Sequence, residues 1–208
     1  MQVLLTDVGR DIRSGMATGG KNVVLVRHGD TEWSRARKHT GRTDVALTDT
    51  GMRQADALAA MLAGFDFARV LCSPRQRAVE TCRRAGLLDR AEITDDAAEW
   101  DYGVYEGRTT AEIREEIAGW SVWTHDIIDG ESIADVGARA DRVIAAALSV
   151  DGDAAVFGHA HLLRILAARW IGVAAVYGKS FILDTASVSV LSFEREERVV
   201  DRWNQTSE

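Results

Sequence analysis

Val23-Val24-Leu25-Val26-Arg27-His28-Gly29-Asp30-Thr31-Glu32 decides how this chain is to be read. Four apolar, mostly β-branched residues run straight into Arg-His-Gly, the pattern of a buried strand that delivers two polar side chains at its tip. In open parallel sheets ligands bind at the carboxyl ends of strands. A permanent cation beside an imidazole suits a nucleophile facing an anion, and phosphate is the obvious anion.

The 208 residues are enough for one well-buried domain and short for two. Hydrophobic content of 46% and charged content of 27% are those of an ordinary soluble globular protein. A net charge of -7 with no basic stripe argues against a nucleic-acid partner. It leaves a small anionic substrate open, because a pocket can be cationic inside an acidic protein. Two cysteines occur, Cys72 and Cys82, at a spacing that fits no metal motif. Cys72 lies in an apolar run, so a buried thiol is expected rather than a disulfide or a reactive nucleophile. No stretch approaches the roughly 20 apolar residues that span a bilayer, so no membrane partner is expected. Asp7, Arg10, Asp11 and Arg13 break any signal-peptide core, which makes the cytoplasm the default. Residues 1–21 end in Gly15-Met16-Ala17-Thr18-Gly19-Gly20 and read as an N-terminal arm, poorly ordered or docked on another subunit. Residues 22–208 then form a single domain.

Strand-like runs recur at 23–26, 69–72, 154–157 and 187–193, with a last segment near 198–203 pairing antiparallel with its predecessor. Helical patterns lie between them. Thr48-Asp49-Thr50 opens one that runs to about Ala63, with Ala55, Leu58, Ala59 and Leu62 on one face. Ser73-Pro74 predicts an N-cap followed by a helix to about Ala85. Further helices are expected over 109–117, over 132–147 with Ser132 and Asp135 at capping-box spacing, and from His159 to about Trp170. Strands alternating with helices predict an α/β fold, a three-layer sandwich with a mostly parallel central sheet.

Five short stretches carry the chemistry: Arg27-His28-Gly29 with Ser34 six residues after the histidine; Ser73-Pro74-Arg75-Gln76-Arg77-Ala78; Glu99-Trp100-Asp101-Tyr102-Gly103-Val104-Tyr105-Glu106-Gly107; Gly130-Glu131-Ser132; and Val156-Phe157-Gly158-His159-Ala160-His161. Both histidine-bearing runs have one design, an apolar strand ending in glycine and histidine. A parallel sheet would bring His28 and His159 to one edge. Singly, each stretch has a plain structural reading. A lone histidine is more often packed than catalytic, Arg75 and Arg77 suit a solvated helix start, and Trp100, Trp120 and Trp123 suit a core or lid. The conjunction is harder to explain that way.

From about Lys21 to Phe193 the chain resembles the histidine phosphatase superfamily, also called phosphoglycerate mutase-like, whose signature is an apolar strand followed by Arg-His-Gly-Glu/Asp-Thr. Here Asp30 fills the acidic position and Glu32-Trp33-Ser34 follows. The resemblance implies a phosphoglycerate mutase-like α/β sandwich with His28 as the nucleophile that becomes phosphorylated. It implies that Arg27, Arg77 and His159 bind the phosphoryl oxygens and that Ser34 is a further phosphate contact. Glu99 falls at the proton donor's position, with Asp101 an alternative close by. Thr31-Glu32-Trp33-Ser34, Gly41-Arg42-Thr43-Asp44, Trp120-Ser121-Val122-Trp123 and Leu183-Asp184-Thr185-Ala186 are similar to the sedoheptulose-bisphosphatase and broad-specificity acid phosphatase branch. That likeness implies substrate contacts at Thr40, Ser73, Ala160, His161 and Arg164, with His161 equally suited to packing. His39 stands where the bisphosphatases tend to have Tyr.

Phosphoryl transfer needs in-line attack and charge stabilisation on three equatorial oxygens. No P-loop or metal-ligand spacing is visible, so no metal or cofactor is expected and the cations must be side chains. Arg27 and Arg77 can each fork onto phosphate oxygens, and a protonated His159 would add a third donor. His28 must present a neutral nitrogen, which calls for a hydrogen bond from its other ring nitrogen, for instance to a backbone carbonyl. Glu99 can protonate the leaving alkoxide only where burial or a nearby phosphate favours its neutral form. The resulting expectation is a metal-independent phosphomonoesterase acting on a small phosphorylated metabolite, a sugar phosphate or bisphosphate. Tyr105-Glu106-Gly107-Arg108-Thr109 runs directly into a helix, without the insertion of the family's mutases. That disfavours the alternative, phosphoglycerate mutase-type transfer. A non-catalytic phospho-ligand-binding protein is a third reading, and a homodimer stays open.

Overall fold

The computed structural model describes residues 21–207, so the arm expected at residues 1–21 lies, but for Lys21, outside the described residues. Six strands form one sheet: β1 (Val23–Arg27), β2 (Phe67–Cys72), β3 (Ala91–Ile93), β4 (Asp153–Gly158), β5 (Val188–Glu194) and β6 (Glu197–Gln205), in the spatial order β3-β2-β4-β1-β5-β6. The pairs β3·β2, β2·β4 and β4·β1 are parallel, and β5 runs antiparallel to both neighbours. The mostly parallel sheet is as expected.

The sequence of β1 shows why it is central. Val23, Val24, Leu25 and Val26 are all at most 1% exposed, because helices cover both faces of the sheet. Six helices accompany the strands: α1 (Glu32–Arg35), α2 (Asp49–Leu62), α3 (Gln76–Arg84), α4 (Thr110–Glu116), α5 (Ile133–Leu148) and α6 (Ala160–Trp170). On one face Val24, Val26, Val70 and Phe157 pack with Leu58 and Leu62 of α2 and Ala78 and Cys82 of α3. On the other, Val23, Leu25 and Val156 pack with Val136, Ala140 and Ile144 of α5 and Leu162, Leu166 and Trp170 of α6. The result is three layers.

That arrangement positions a site. The helix after β1 crosses one face towards β2, whereas the helix after β4 crosses the opposite face towards β5. The two chain directions part between β1 and β4, so a crevice opens at the carboxyl ends of those strands. Register places Arg27 opposite Gly158, and His28 N donates to Gly158 O at 3.1 Å.

Most caps follow the sequence. Thr48 caps α2, and the box between Ser132 and Asp135 closes α5, with a second box between Thr109 and Glu112 on α4. Ser73 does not cap α3, which begins at Gln76 rather than Pro74. Ser73 directly follows β2, its N–H donating to Phe157 O, and its hydroxyl is taken by His159. The first N–H of α3 goes instead to the Asp44 carboxylate at 2.8 Å. Cys72 and Cys82 are buried free thiols. A hydrogen bond with Cys82, together with burial, pushes the Cys72 thiol far above its ordinary range, which leaves it unreactive. Among the described residues no helix is long and apolar enough to cross a membrane.

Candidate active site

The glycine after His28 holds the site together. A Cβ on Gly29 would stand 2.4 Å from Gly51 O, and one on Gly51 would stand 2.1 Å from Asp30 O. The tip of β1 therefore lies directly on the first turn of α2, an approach closed to any other residue. Gly29 N also donates to Thr81 Oγ1 on α3, at 3.1 Å. Two helices thus fix the backbone that carries His28.

His28 Nδ1 lies 2.7 Å from Gly29 O. A carbonyl oxygen only accepts, so Nδ1 carries the proton and Nε2 keeps its lone pair. Burial, then the charges of Arg77 and Arg27, hold the imidazole well below its usual pKa. The ring is thereby kept neutral. The His159 ring lies 5.1 Å from it, centroid to centroid, so the two strand tips do converge.

His159 is fixed from two sides. Arg77 Nε donates to its Nδ1 at 3.2 Å, and its Nε2 donates to Ser73 Oγ at 2.7 Å. Burial and the adjacent Arg77 lower its pKa too, which favours a neutral His159 here, whereas the protonated third donor was expected in the complex with phosphate. The remaining Arg77 nitrogens donate to backbone: Nη1 to Thr43 O at 3.0 Å, Nη2 to Thr40 O at 2.9 Å and Gly41 O at 3.2 Å. Arg27 differs. One terminal nitrogen donates to Leu183 O, and its Nε is buried without any partner.

A cavity of about 600 Å³ opens here, a volume typical of small-molecule sites. Of the expected residues, Arg27, His28, Ser34, Thr40, Glu99, Ala160 and His161 line it. Ser73, Arg77 and His159 do not. They form a layer behind the wall, all three fully buried, because their polar atoms are spent on one another and on loop carbonyls. Arg164 also stands off the lining, stacked on Trp123 at 4.7 Å and donating to Gly178 O and Lys179 O. Ser34 lines the cavity, but its hydroxyl closes the α1 capping box with Thr31 and donates to Asp30.

Glu99 enters between the layers. Its Oε1 accepts from Trp100 N and Leu162 N, and its Oε2 accepts from His161 N, at 2.9–3.0 Å. His159 gives α6 no side-chain cap, so a glutamate 60 residues earlier supplies it, and the same helix start fixes the carboxyl at the cavity wall. Asp101, the alternative donor, is engaged elsewhere. Its carboxylate pairs with Arg42 at 2.7 Å, accepts from Gly103 N, and is absent from the lining.

The lining also takes in residues that the motifs quoted without giving them a role. Tyr102 bonds His161 Nδ1 at 2.7 Å, and His39 packs on Tyr102 and Trp120. Burial lowers the His39 pKa to about 4. Arg37, Lys38 and Arg114 also line the cavity, although no motif marked them.

The model of the histidine phosphatase superfamily, branch 1, matches residues 23–206. The chain belongs to that superfamily. Among its relatives, the acid phosphatase of Mycobacterium tuberculosis is 43% identical over 188 residues, covering 88% of this chain and 92% of the relative. The sedoheptulose 1,7-bisphosphatase of Saccharomyces cerevisiae is 32% identical over 184 residues, covering 72% and 67% respectively. A solved structure of an open reading frame product from Mycobacterium tuberculosis superposes with a TM-score of 0.86 at 40% identity, covering 90% of this chain and 99% of that one. The phosphoglycerate mutase-like architecture expected from the motif is therefore the fold of this histidine phosphatase.

Proposed function

We propose that this histidine phosphatase is a phosphomonoesterase that passes the phosphoryl group of a small phosphorylated metabolite, a sugar phosphate or bisphosphate, to His28 and then to water. One observation carries the reading. The bond from His28 Nδ1 to Gly29 O leaves a neutral Nε2 lone pair on a residue that lines the cavity beside Arg27, a cation whose Nε is buried without a partner.

In the first step the Nε2 lone pair attacks phosphorus in line, and the bond from phosphorus to the ester oxygen breaks. The leaving alkoxide takes a proton from the Glu99 carboxyl. In the second step the Glu99 carboxylate takes a proton from water, the oxygen attacks phosphorus, and the P–N bond returns its electron pair to Nε2. Arg27 meets the phosphoryl oxygens, while from the layer behind Arg77 supplies charge and His159 rigidity. The acid phosphatase and bisphosphatase relatives support hydrolysis. So does the chain before α4, which starts at Thr110 with only residues 106–109 between it and the turn at Gly103–Tyr105. Free thiols at Cys72 and Cys82 suit a reducing, cytoplasmic setting.

The test is hydrolysis of p-nitrophenyl phosphate across pH 4 to 8, with and without EDTA, by the natural chain and by His28→Ala. Turnover that survives the chelator and is lost in the variant is the expected result. Normal turnover by His28→Ala would overturn the assignment.

A further inference from the structure

The cavity is far larger than a phosphoryl group, and its charges are unevenly satisfied. Its three carboxylates are all engaged. Asp30 holds Arg35, Ser34 and Thr48, Glu99 caps α6, and Asp184 accepts from Asn204. Apart from Arg27 at the strand tip, three lining cations are not. Among the described residues Arg37, Lys38 and Arg114 form no ion pair.

These cations belong to a different wall from the strand tips. Lys38 forms a β-bridge with Thr109, the N-cap of α4, and backbone bonds join His39 to Arg108 O and to Gly107 N. That seam pins the segment after α1 to the start of α4. Thr110 and Arg114, one helical turn apart, then both face the cavity. Arg114 Nε donates to Trp120 O at 2.7 Å, which fixes its stem and leaves the fork of terminal nitrogens without a hydrogen bond among the described residues. Arg37 sits in a left-handed conformation, φ 55°, at the turn that presents it. Lys38 leans over Trp33 with its ammonium 5.6 Å from the ring. Three cations held to one wall by a backbone seam, none of them in an ion pair among the described residues and with only Lys38 near enough to a carboxylate, Glu112, to influence it, suit an anion that arrives with the substrate.

We propose that Arg37, Lys38 and Arg114 bind a second anionic group of the substrate, a phosphate or a carboxylate, while its first phosphate lies at His28. The inference rests on the phosphatase reading and narrows it to metabolites that are anionic at both ends. These residues set specificity; the attack on phosphorus belongs to the strand tips.

The test compares kcat/KM within matched pairs: fructose 1,6-bisphosphate against fructose 6-phosphate, and 3-phosphoglycerate against glycerol 3-phosphate. Each pair is run with the natural chain, Arg37→Asn and Arg114→Gln. Asparagine tolerates the left-handed turn, and glutamine can still donate to Trp120 O. The natural chain prefers the doubly anionic member of at least one pair, and each variant lowers that preference about tenfold or more. The pair that responds tells phosphate from carboxylate. A preference unchanged in both variants, or absent from the natural chain, overturns the inference while p-nitrophenyl phosphate turnover keeps the phosphatase reading intact. A natural chain that hydrolyses no ester at all sinks both.

Discussion

Glu99 serves two ends with one carboxyl group. It caps α6 through His161 N and Leu162 N, and it faces the cavity where the leaving group must be protonated. Glu99→Gln separates these duties. The amide oxygen can still accept one helix N–H, but its NH₂ then meets another donor, a mismatch that costs about 1–2 kcal/mol of stability. The proton is lost outright, so kcat on an alkyl phosphate such as glycerol 3-phosphate falls about 10²–10⁴-fold. p-Nitrophenyl phosphate, whose leaving group is stable as an anion, loses much less. Equal losses on both esters in a steady-state comparison would reduce Glu99 to a helix cap. At this scale the motifs were a good guide to which residues meet and a poor one to their depth. Arg27, His28 and His159 were legible because strand tips in a parallel sheet have nowhere else to point. That Ser73, Arg77 and His159 stand one layer back was hidden, since it depends on loop carbonyls at Thr40, Gly41 and Thr43 claiming the guanidinium. Arg37, Lys38 and Arg114 carried no signal, because the seam joining them is made of backbone and not of side-chain pattern.

The contact that positions the nucleophile is a packing of elements, β1 upon the first turn of α2, and it holds only while Gly29 and Gly51 lack side chains. Gly51→Ala pushes a methyl group against the Asp30 backbone, which cannot move without carrying Gly29 and His28 with it. Overpacking of this kind costs about 1–3 kcal/mol, or roughly 2–12 °C in Tm for a chain of this size. The same shift lowers kcat on p-nitrophenyl phosphate. Calorimetry beside a turnover assay reads both, and an unaltered Tm would mean that the two elements are free to separate. Neither glycine announces this in the sequence, where Gly29 looks like the end of a strand and Gly51 like a weak spot in a helix. Element positions were otherwise legible wherever a period or a cap was present, as at Ser132 and Asp135. β3, three residues at the sheet edge with neither signal, was missed, and α3 was expected but its start was placed two residues early, because its first N–H goes to the distant Asp44 and not to Ser73.

Across the whole molecule, four of the five histidines, His28, His39, His159 and His161, are held below their ordinary pKa, with burial the leading cause in each. The sign of the effect on stability follows from proton counting. Below about pH 6.5 the unfolded chain protonates these imidazoles while the folded chain leaves them neutral, so acid favours unfolding. Their contribution is complete above the unfolded pKa and is lost as pH falls towards the folded values. His39, held at about 4, alone removes about 2 kcal/mol between pH 7 and pH 5. The catalytic consequence has the opposite sense. A His28 that resists protonation stays nucleophilic below pH 6.5, so turnover per folded molecule persists in acid while the folded population thins. Tm should therefore drop steadily from pH 7 to pH 5, a window above most carboxylate titrations, and the slope should be shallower in His39→Gln, which removes one of the four buried rings. A Tm flat across that window would mean that the histidines take up protons in the folded state, and the neutral nucleophile on which the chemistry depends would go with it.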